Sequence, residues 1–319
     1  MPKQIMNVTK VAPTRFSIMI KNHSETLTYF NDVIRIIEKY KQKEHYIYFD
    51  YTNVKEICGC SVIYLISLIY SLQVKERIPR CFPPKNNYIK STLDKVGCLL
   101  NNAYPTPTIT PKKGKDVILC MGDNFNQAEL VNVIEHMINS WRIDKTKLDF
   151  LYDLVGELMQ NTIDHAYKQK RHLRSILKKW YLYISLENGK AKFFFLDNGV
   201  GIPVTVKKST KEEFSDAFYR VRNKILKSHD PINLESEYIY SALQGDRRSK
   251  TRPENSDRGL KIISDFHKDK KISKLEVFSN CGHCKLDKLN DSADSPKTVK
   301  KNVLPTSLNG TLFCWEIAV

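Results

Sequence analysis

The stretch FFFLDNGVGIP, residues 193–203, decides the fold of the C-terminal part of the chain. Four apolar residues, Phe193–Leu196, predict the end of a buried strand, and Asp197 follows them directly. Gly199 and Gly201 come next, and glycine permits sharp turns and close approach of the backbone to a ligand. The pattern therefore places one carboxylate at the edge of a sheet, beside bare backbone that leaves room for a flat ring. A plain hairpin turn closed by Asp-Asn-Gly is the alternative and stays open.

The residues before this strand predict an amphipathic helix from about 147 to 168. At 100° per residue, one face is apolar and the adjacent face carries Glu157, Asn161, Asp164 and His165. Glu157 and Asn161 are one turn apart, so their side-chain oxygens can hold a water and a hard cation such as Mg²⁺. Glu-x-x-x-Asn is also a common pattern on helix surfaces, and that interpretation stays open.

Further strands and helices surround these two segments. Residues 180–186 and 192–196 predict a hairpin joined by Asn188-Gly189, a dipeptide that favours a type I′ turn. Strands at 272–279 and 310–319, separated by a polar loop, are expected to complete a mixed sheet. Two more helices are expected at 211–227 and 234–243.

A basic loop runs from Gly245 to Arg258 and leads into a helix at 261–267. Free N–H groups and the helix dipole favour anions at such a helix start. The loop carries four basic residues near its middle, Arg247, Arg248, Lys250 and Arg252. They can neutralise phosphate charge or form a solvated loop, and both interpretations stay open.

Four motifs follow one another along the chain: GELMQNTIDHAY, FFFLDNGVGIP, SDRGLKII and NGTLFCWEI, beginning at residues 156, 193, 256 and 309. Their order and spacing resemble those of the GHKL ATPases, which include gyrase-type ATPases, histidine kinases and anti-sigma-factor kinases. The resemblance covers roughly residues 125–319. It implies ATP and Mg²⁺ as ligands and a Bergerat-type α/β sandwich, a mixed sheet covered by helices on one face.

The resemblance also implies a role for each matching residue. Asp197 would accept from the adenine amino group, with Thr311 supporting the same edge. Asn161 would bind Mg²⁺, and Glu157 would orient or deprotonate the attacking water or hydroxyl. The remaining nucleotide-binding residues would be Asp164, Gly199, Gly201, Arg258, Gly259 and Leu260. The loop up to Asp257 would be a lid, and His165 is expected to pack beside the site.

The first third of the chain alternates strand and helix patterns, which predicts helices packed on a sheet. The strands are expected at 15–20, 46–51 and 80–83 and the helices at 26–40, 61–72 and 87–99. Their order resembles a STAS domain, the regulatory fold of anti-anti-sigma factors. Where such regulators carry a phosphorylatable residue, this chain has Ile57-Cys-Gly-Cys-Ser61, and Ser61 is expected to be a helix N-cap.

Three prolines and a Lys-rich turn between residues 100 and 125 predict a linker or hairpin. The expected organisation is α/β (α+β): a STAS-like domain at 1–105, a linker at 106–123 and a GHKL domain at 124–319. A regulatory protein partner and a homodimer are both compatible with this organisation.

Composition narrows the class of protein. The 319 residues are 41% hydrophobic, which excludes wholesale disorder. The longest apolar stretch, residues 62–72, is too short to cross a bilayer, and the N-terminus lacks a secretory signal pattern. A cytoplasmic protein without a membrane partner is therefore expected. The net charge of +16 raises nucleic acid as a partner, although scattered lysines favour a solvated surface.

The eight cysteines are expected to be reduced. Cys281-Gly-His-Cys284 looks like the redox motif of disulfide isomerases, but it follows a strand pattern rather than starting a helix, so a structural turn is favoured. A zinc site would need two more ligands, and Cys58 with Cys60 is the only other close pair. These two and the remaining cysteines are expected to be small buried hydrophobic residues.

Three functions follow from these patterns. The leading hypothesis is an ATP–Mg²⁺-binding regulatory ATPase or switch whose STAS-like domain senses or transmits the nucleotide state. The first alternative is an anti-sigma-factor-like serine/threonine kinase, and the second is a basic nucleic-acid-binding clamp. A histidine kinase proper is not favoured, because His136 is followed by Met137 rather than by an acidic residue.

Overall fold

The computed structural model describes residues 6–19, 23–39, 45–74, 79–99, 112–166, 176–206, 234–245, 260–286 and 299–319. In these residues the protein has a mixed α/β structure, with helices and three separate sheets. The chain forms two compact units. The first comprises Met1–Met121, Leu173–Leu177 and Tyr181–Tyr183, and the second comprises the remaining residues from Gly122 to Val319. The boundaries of the expected domains stay a prediction.

The first unit contains a three-stranded sheet with the order β1-β3-β5 and a two-stranded sheet, β2-β4. Both β1–β3 and β3–β5 are parallel pairs, as is β2–β4. The strands are β1 (Met6–Val11), β2 (Arg15–Phe16), β3 (His45–Asp50), β4 (Glu56–Ile57) and β5 (Pro79–Phe82). Parallel neighbours require crossover connections, and the helices between the strands provide them.

Three helices accompany these strands: α1 (His23–Lys39), α2 (Gly59–Val74) and α3 (Asn87–Lys95). Helix α2 is apolar around most of its circumference, and nearly all its side chains are buried, as expected for a core helix. The ring of Phe30 on α1 lies 4.6 Å from that of Tyr64 on α2 and 5.2 Å from that of Phe16. Aromatic packing therefore connects α1 with both α2 and strand β2.

The largest sheet has six strands in the order β10-β11-β9-β8-β7-β6. The strands are β6 (Lys112–Lys113), β7 (Val117–Gly122), β8 (Trp180–Glu187), β9 (Lys190–Asp197), β10 (Lys274–Leu286) and β11 (Val299–Ala318). Strand β11 is antiparallel to β9 on one side and to β10 on the other. The rings of Phe193 and Trp315 stack across β9 and β11 at 5.0 Å, within the buried part of the sheet.

The helices of the second unit are α4 (Gln127–Trp141), α5 (Leu151–Asn161), α6 (Leu234–Gln244) and α7 (Lys261–Lys268). Helix α5 continues into a π-helical turn, Thr162–Ala166. The apolar face of α5 is buried, and Phe150 before it packs on Phe266 of α7 with ring centres 4.9 Å apart. No helix in the described ranges is both long and apolar enough to span a bilayer.

The structure confirms the predicted hairpin. Asn188 and Gly189 join β8 to β9, with φ angles of 51° and 68°. Both values lie in the left-handed region that a type I′ turn requires. The Lys-rich stretch also forms a hairpin, since β6 pairs antiparallel with β7. Residues 106–111 of the expected linker and the helix expected at 211–227 lie outside the described residues.

Several predicted strand limits were wrong. The strand expected at 15–20 is reduced to the two residues of β2, and β1, which precedes it, was not predicted. Strands β10 and β11 extend beyond the predicted 272–279 and 310–319 and pair with each other there. Register shifts near Asn280 leave no cross-strand partner for Pro305 in this pairing, so the proline is tolerated within the strand.

Candidate functional site

Asp197 is the last residue of β9, and its side chain is buried. It lies opposite Thr311 of β11 in the antiparallel pairing. The backbone N–H of Gly199 donates to Asp197 Oδ1 at 2.8 Å. The backbone N–H and the hydroxyl of Thr311 donate to the same carboxylate. Two motifs far apart in the sequence therefore meet at one buried acid.

The ionisation of Asp197 reflects two opposing effects. Burial raises the pKa of the carboxyl to about 6, although the hydrogen bonds from Gly199 and Thr311 act to lower it. Burial wins because removing a carboxylate from water costs more than these neutral donors return. A carboxylate accepts about four hydrogen bonds, and three donors come from the described part of the chain. Counted over those residues alone, the group keeps capacity for one further donor.

At two positions near Asp197, neighbouring atoms leave no room for any side chain, so that only glycine fits. A Cβ atom at Gly310 would lie 1.8 Å from the Asp197 carbonyl oxygen, and one at Gly201 would lie 2.2 Å from Asn280 Oδ1. Both glycines also have positive φ, 89° and 87°. Side chains at these positions would displace the turn that follows β9. At Gly201 the close neighbour is Asn280 of the protein itself, and the close approach of the glycines to a ligand stays a prediction.

Ser279 and Asn280 of β10 hold this turn, and the sequence analysis did not identify them. Ser279 Oγ accepts from the Ile202 N–H at 2.9 Å and lies 3.1 Å from Thr311 Oγ1. Asn280 Nδ2 donates to the Val200 carbonyl at 3.2 Å. These contacts cross strands that are distant in sequence, so no local pattern signals them. The turn after Asp197 is thus fixed from the β10 side.

Glu157 and Asn161 form a pair on α5. Asn161 Nδ2 donates to Glu157 Oε1 at 2.9 Å and to the Glu157 carbonyl at 2.8 Å. Both partners are acceptors only, so the amide nitrogen must face them and the amide oxygen Oδ1 faces away. The pair therefore presents an uncharged oxygen ligand beside a carboxylate, a combination that suits a hard cation.

Asp164 lies in the π-helical turn that follows α5. Its Oδ2 accepts from Gln160 Nε2 at 2.9 Å, and the carboxylate is partly buried. Asp164 is therefore linked to the residue one helical turn before it. The side chain of His165 lies outside the described residues.

The ends of the basic loop come together. Gly245 ends α6 with a φ of 72°, and a Cβ atom there would lie 2.6 Å from the Lys261 side chain at the start of α7. Leu260 is the N-cap residue of α7, without a side-chain cap. Arg258, Gly259 and the basic residues Arg247, Arg248, Lys250 and Arg252 lie outside the described residues.

Cys281 and Cys284 do not form the predicted turn. Both lie within β10, in the part that pairs with β11, and Cys284 is buried. Burial raises the pKa of the Cys284 thiol to about 12 and also raises that of Cys281, which additionally lies near Glu235. Such thiols are poor nucleophiles. In the described part of the chain, no group of three or more His, Cys, Asp and Glu side chains is placed to hold a metal ion.

No protein-family model matches this chain, and no curated protein is similar enough in sequence to count as a relative.

Proposed function

We propose that the chain is an ATP–Mg²⁺-binding regulatory protein of the GHKL type, acting as an ATPase or a nucleotide-dependent switch. The observation that carries the proposal is the meeting of Asp197, Gly199 and Thr311 at the end of β9. Of the four motifs that resemble those of the superfamily, the three beginning at residues 156, 193 and 309 lie wholly or almost wholly in the part of the chain that the structure describes. Two of them converge on one buried carboxylate.

The adenine amino group fits the chemistry of Asp197. The carboxylate retains acceptor capacity after its three protein donors are counted. The exocyclic amine of adenine can donate this further hydrogen bond. A base with a carbonyl group in place of the amine has no hydrogen to donate to Asp197. Asp197 in its charged form is the stronger acceptor. We therefore expect nucleotide affinity to increase as Asp197 ionises.

Asn161 is the proposed Mg²⁺ ligand. Its Nδ2 is held by Glu157, so Oδ1 is oriented away from the helix backbone. Mg²⁺ prefers oxygen ligands and keeps several waters. One amide oxygen from the protein, together with oxygens of the nucleotide phosphates, is therefore a suitable set of ligands. When bound, the cation would neutralise charge on the phosphates.

Glu157 is the proposed catalytic base. Its Oε1 accepts from Asn161, which fixes the carboxylate beside the proposed cation ligand. A base in that position can orient a water or a protein hydroxyl and take its proton, an effect worth about 10²–10⁴-fold. Water as acceptor gives an ATPase, and a serine or threonine hydroxyl gives the kinase alternative.

The proposed regulatory part is the STAS-like domain at residues 1–105. The parallel order β1-β3-β5 with helices between the strands supports an α/β domain of this kind. A GHKL domain with its sheet covered by helices on one face is the corresponding proposal for 124–319. A regulatory protein partner would then read the nucleotide state through the N-terminal domain.

Isothermal calorimetry with ATP, with and without Mg²⁺, tests the proposal on the full chain. We expect wild-type protein to bind and Asp197→Asn to bind much more weakly, because the amide presents its NH₂ group or a weaker acceptor to the base. Asp149→Asn, at an exposed position, is the matched control and should bind as wild type does. A folded wild-type protein that binds no ATP would refute the proposal.

A further inference from the structure

Cys58 lies where two short strands end and a long helix begins. Its backbone N–H donates to the Phe16 carbonyl at 3.3 Å, which continues the parallel pairing of β2 with β4. The next residue, Gly59, is the first of α2, a helix of 16 residues. The N–H groups of Ser61 and Val62 both donate to the Cys58 carbonyl at 3.0 Å. Cys58 is therefore the N-cap residue of α2, a position expected for Ser61.

The surroundings of the Cys58 sulfur are polar. The Ser61 hydroxyl lies 3.4 Å from it, and the Cys60 thiol, the Ser17 hydroxyl and the Ser61 N–H also hydrogen-bond it. Burial acts to raise the pKa of the thiol, but these donors and the thiol of Cys60 outweigh it and lower the pKa to about 5. The expected small hydrophobic role of Cys58 is therefore wrong.

The other cysteines show that this environment is specific. Burial raises the pKa of Cys81 and of Cys284 to about 12, and it raises those of Cys98 and Cys281 as well. Cys281 and Cys284 each have one hydrogen bond that acts to lower the pKa, from Ser307 and from the Tyr240 backbone, but burial outweighs it there, whereas at Cys58 the hydrogen bonds outweigh burial. Cys58 as a residue is partly exposed, whereas Cys60 is buried.

A second thiol lies within reach of the first. Cys60 is buried, two residues along the chain, and hydrogen-bonds the Cys58 sulfur. Because Cys58 is outside the helix, its side chain can turn toward Cys60 in the first helical turn. A disulfide between them would close a small ring at the helix start, and strained disulfides of this kind are readily reduced.

We propose that Cys58 and Cys60 are a redox-active dithiol that hydrogen peroxide converts into a disulfide. The Cys58 thiolate attacks one peroxide oxygen, so an S–O bond forms, the O–O bond breaks and hydroxide leaves and takes up a proton as water. The sulfur is oxidised to sulfenic acid as the peroxide is reduced. The Cys60 sulfur then attacks that of Cys58, the S–S bond forms, and hydroxide leaves with the Cys60 proton as a second water.

The pH dependence of alkylation tests the thiolate at Cys58. The fully reduced chain is treated with iodoacetamide between pH 5 and pH 9, and each cysteine is followed by peptide mass spectrometry. Cys58 should react at a nearly constant rate above about pH 6, whereas partly exposed Cys281 should react about tenfold faster per pH unit. At pH 6 Cys58 should react about tenfold faster than an ordinary thiol, after allowing for its lower intrinsic nucleophilicity. A Cys58 profile parallel to that of Cys281 would overturn the proposal.

Hydrogen peroxide tests the pairing. One equivalent added to the wild-type chain should yield a peptide with Cys58 and Cys60 joined, lighter by two hydrogen atoms and restored by dithiothreitol. Cys60→Ser should accumulate a sulfenic acid at Cys58 that dimedone traps, and Cys281→Ser should behave as wild type. Oxidation that spares Cys58, or that joins it to a cysteine other than Cys60, would overturn the proposal. The disulfide found in the wild-type chain by peptide mass spectrometry decides the pairing even if a variant fails to fold.

Discussion

Thr311 lies opposite Asp197 in the pairing of β11 with β9 and donates to its carboxylate from both backbone and hydroxyl. The hydroxyl of Thr311 also lies 3.1 Å from that of Ser279 on β10. The buried acid on β9 is thus joined to β11 directly and, through Thr311, to β10 beyond it in the sheet order. Because the pairing register sets this contact, the site depends on the sheet rather than on a loop.

Stability should depend on pH through Asp197. The pKa of this carboxyl is raised to about 6 in the folded protein, so between about pH 4 and pH 6 the folded state holds a proton that the unfolded state has lost. The free energy of unfolding should therefore fall as pH rises through this range, by about 2 kcal/mol for this group.

Urea unfolding of wild type and Asp197→Asn at several pH values isolates this effect, since the amide does not titrate. The difference in stability between the two proteins should shift by about 2 kcal/mol from pH 4 to pH 6 and stay constant above about pH 7. A difference that does not change with pH would show that Asp197 titrates normally.

Gly310→Ala should destabilise the protein strongly. The added Cβ atom would meet the Asp197 carbonyl oxygen at 1.8 Å, and the φ of 89° is already unfavourable for alanine. Clash and strain together should cost at least about 2 kcal/mol.

Gly189→Ala is the matched control for Gly310→Ala. Its φ of 68° is also positive, but a Cβ atom there meets nothing within 4 Å. The free energy of unfolding of Gly189→Ala should fall by only about 1–2 kcal/mol, because alanine is unfavourable in the left-handed backbone conformation. Chemical denaturation compares the two variants, and equal losses would argue against the close contact at Gly310.

Ser279→Ala should loosen the turn after Asp197 without removing any of the proposed ATP-contacting groups. It leaves the Ile202 N–H without its acceptor and removes the contact with Thr311, at a cost of about 1–3 kcal/mol. ATP affinity should weaken, while Ser140→Ala on the exposed side of α4 should change neither property. Calorimetry and urea unfolding measure the two effects, and unchanged values for Ser279→Ala would contradict the positioning role.

Glu157→Ala separates chemistry from binding. If Glu157 is the base, phosphate release from ATP should fall by about 10²–10⁴-fold, whereas ATP affinity should change little. Glu135→Ala, at an exposed position on α4, serves as the control for a lost surface carboxylate. Release that continues at the wild-type rate would contradict the catalytic role and leave the binding proposal standing.

The sequence was most informative where a pattern is local. Asn188-Gly189 specifies its own turn, and the apolar run before Asp197 specifies a buried strand end, so both were predictable. Helices α1, α2, α3 and α5 were also expected from their periodicity, with differences at their ends.

The remaining features depend on contacts between distant residues. Strand β1 is short, mixes apolar and polar residues, and pairs with its parallel partner β3. The roles of Ser279 and Asn280 arise because β10 lies beside β11, and the donors around Cys58 include Ser17 from another strand end. Composition and spacing alone cannot specify such partners.

The central claim is that Asp197 is part of a nucleotide site, and calorimetry with ATP and Mg²⁺ tests it most directly. We predict micromolar binding by the wild-type chain, a large loss of affinity in Asp197→Asn and no loss in Asp149→Asn. Absence of binding by the folded wild-type chain, or equal binding by Asp197→Asn, would contradict the claim.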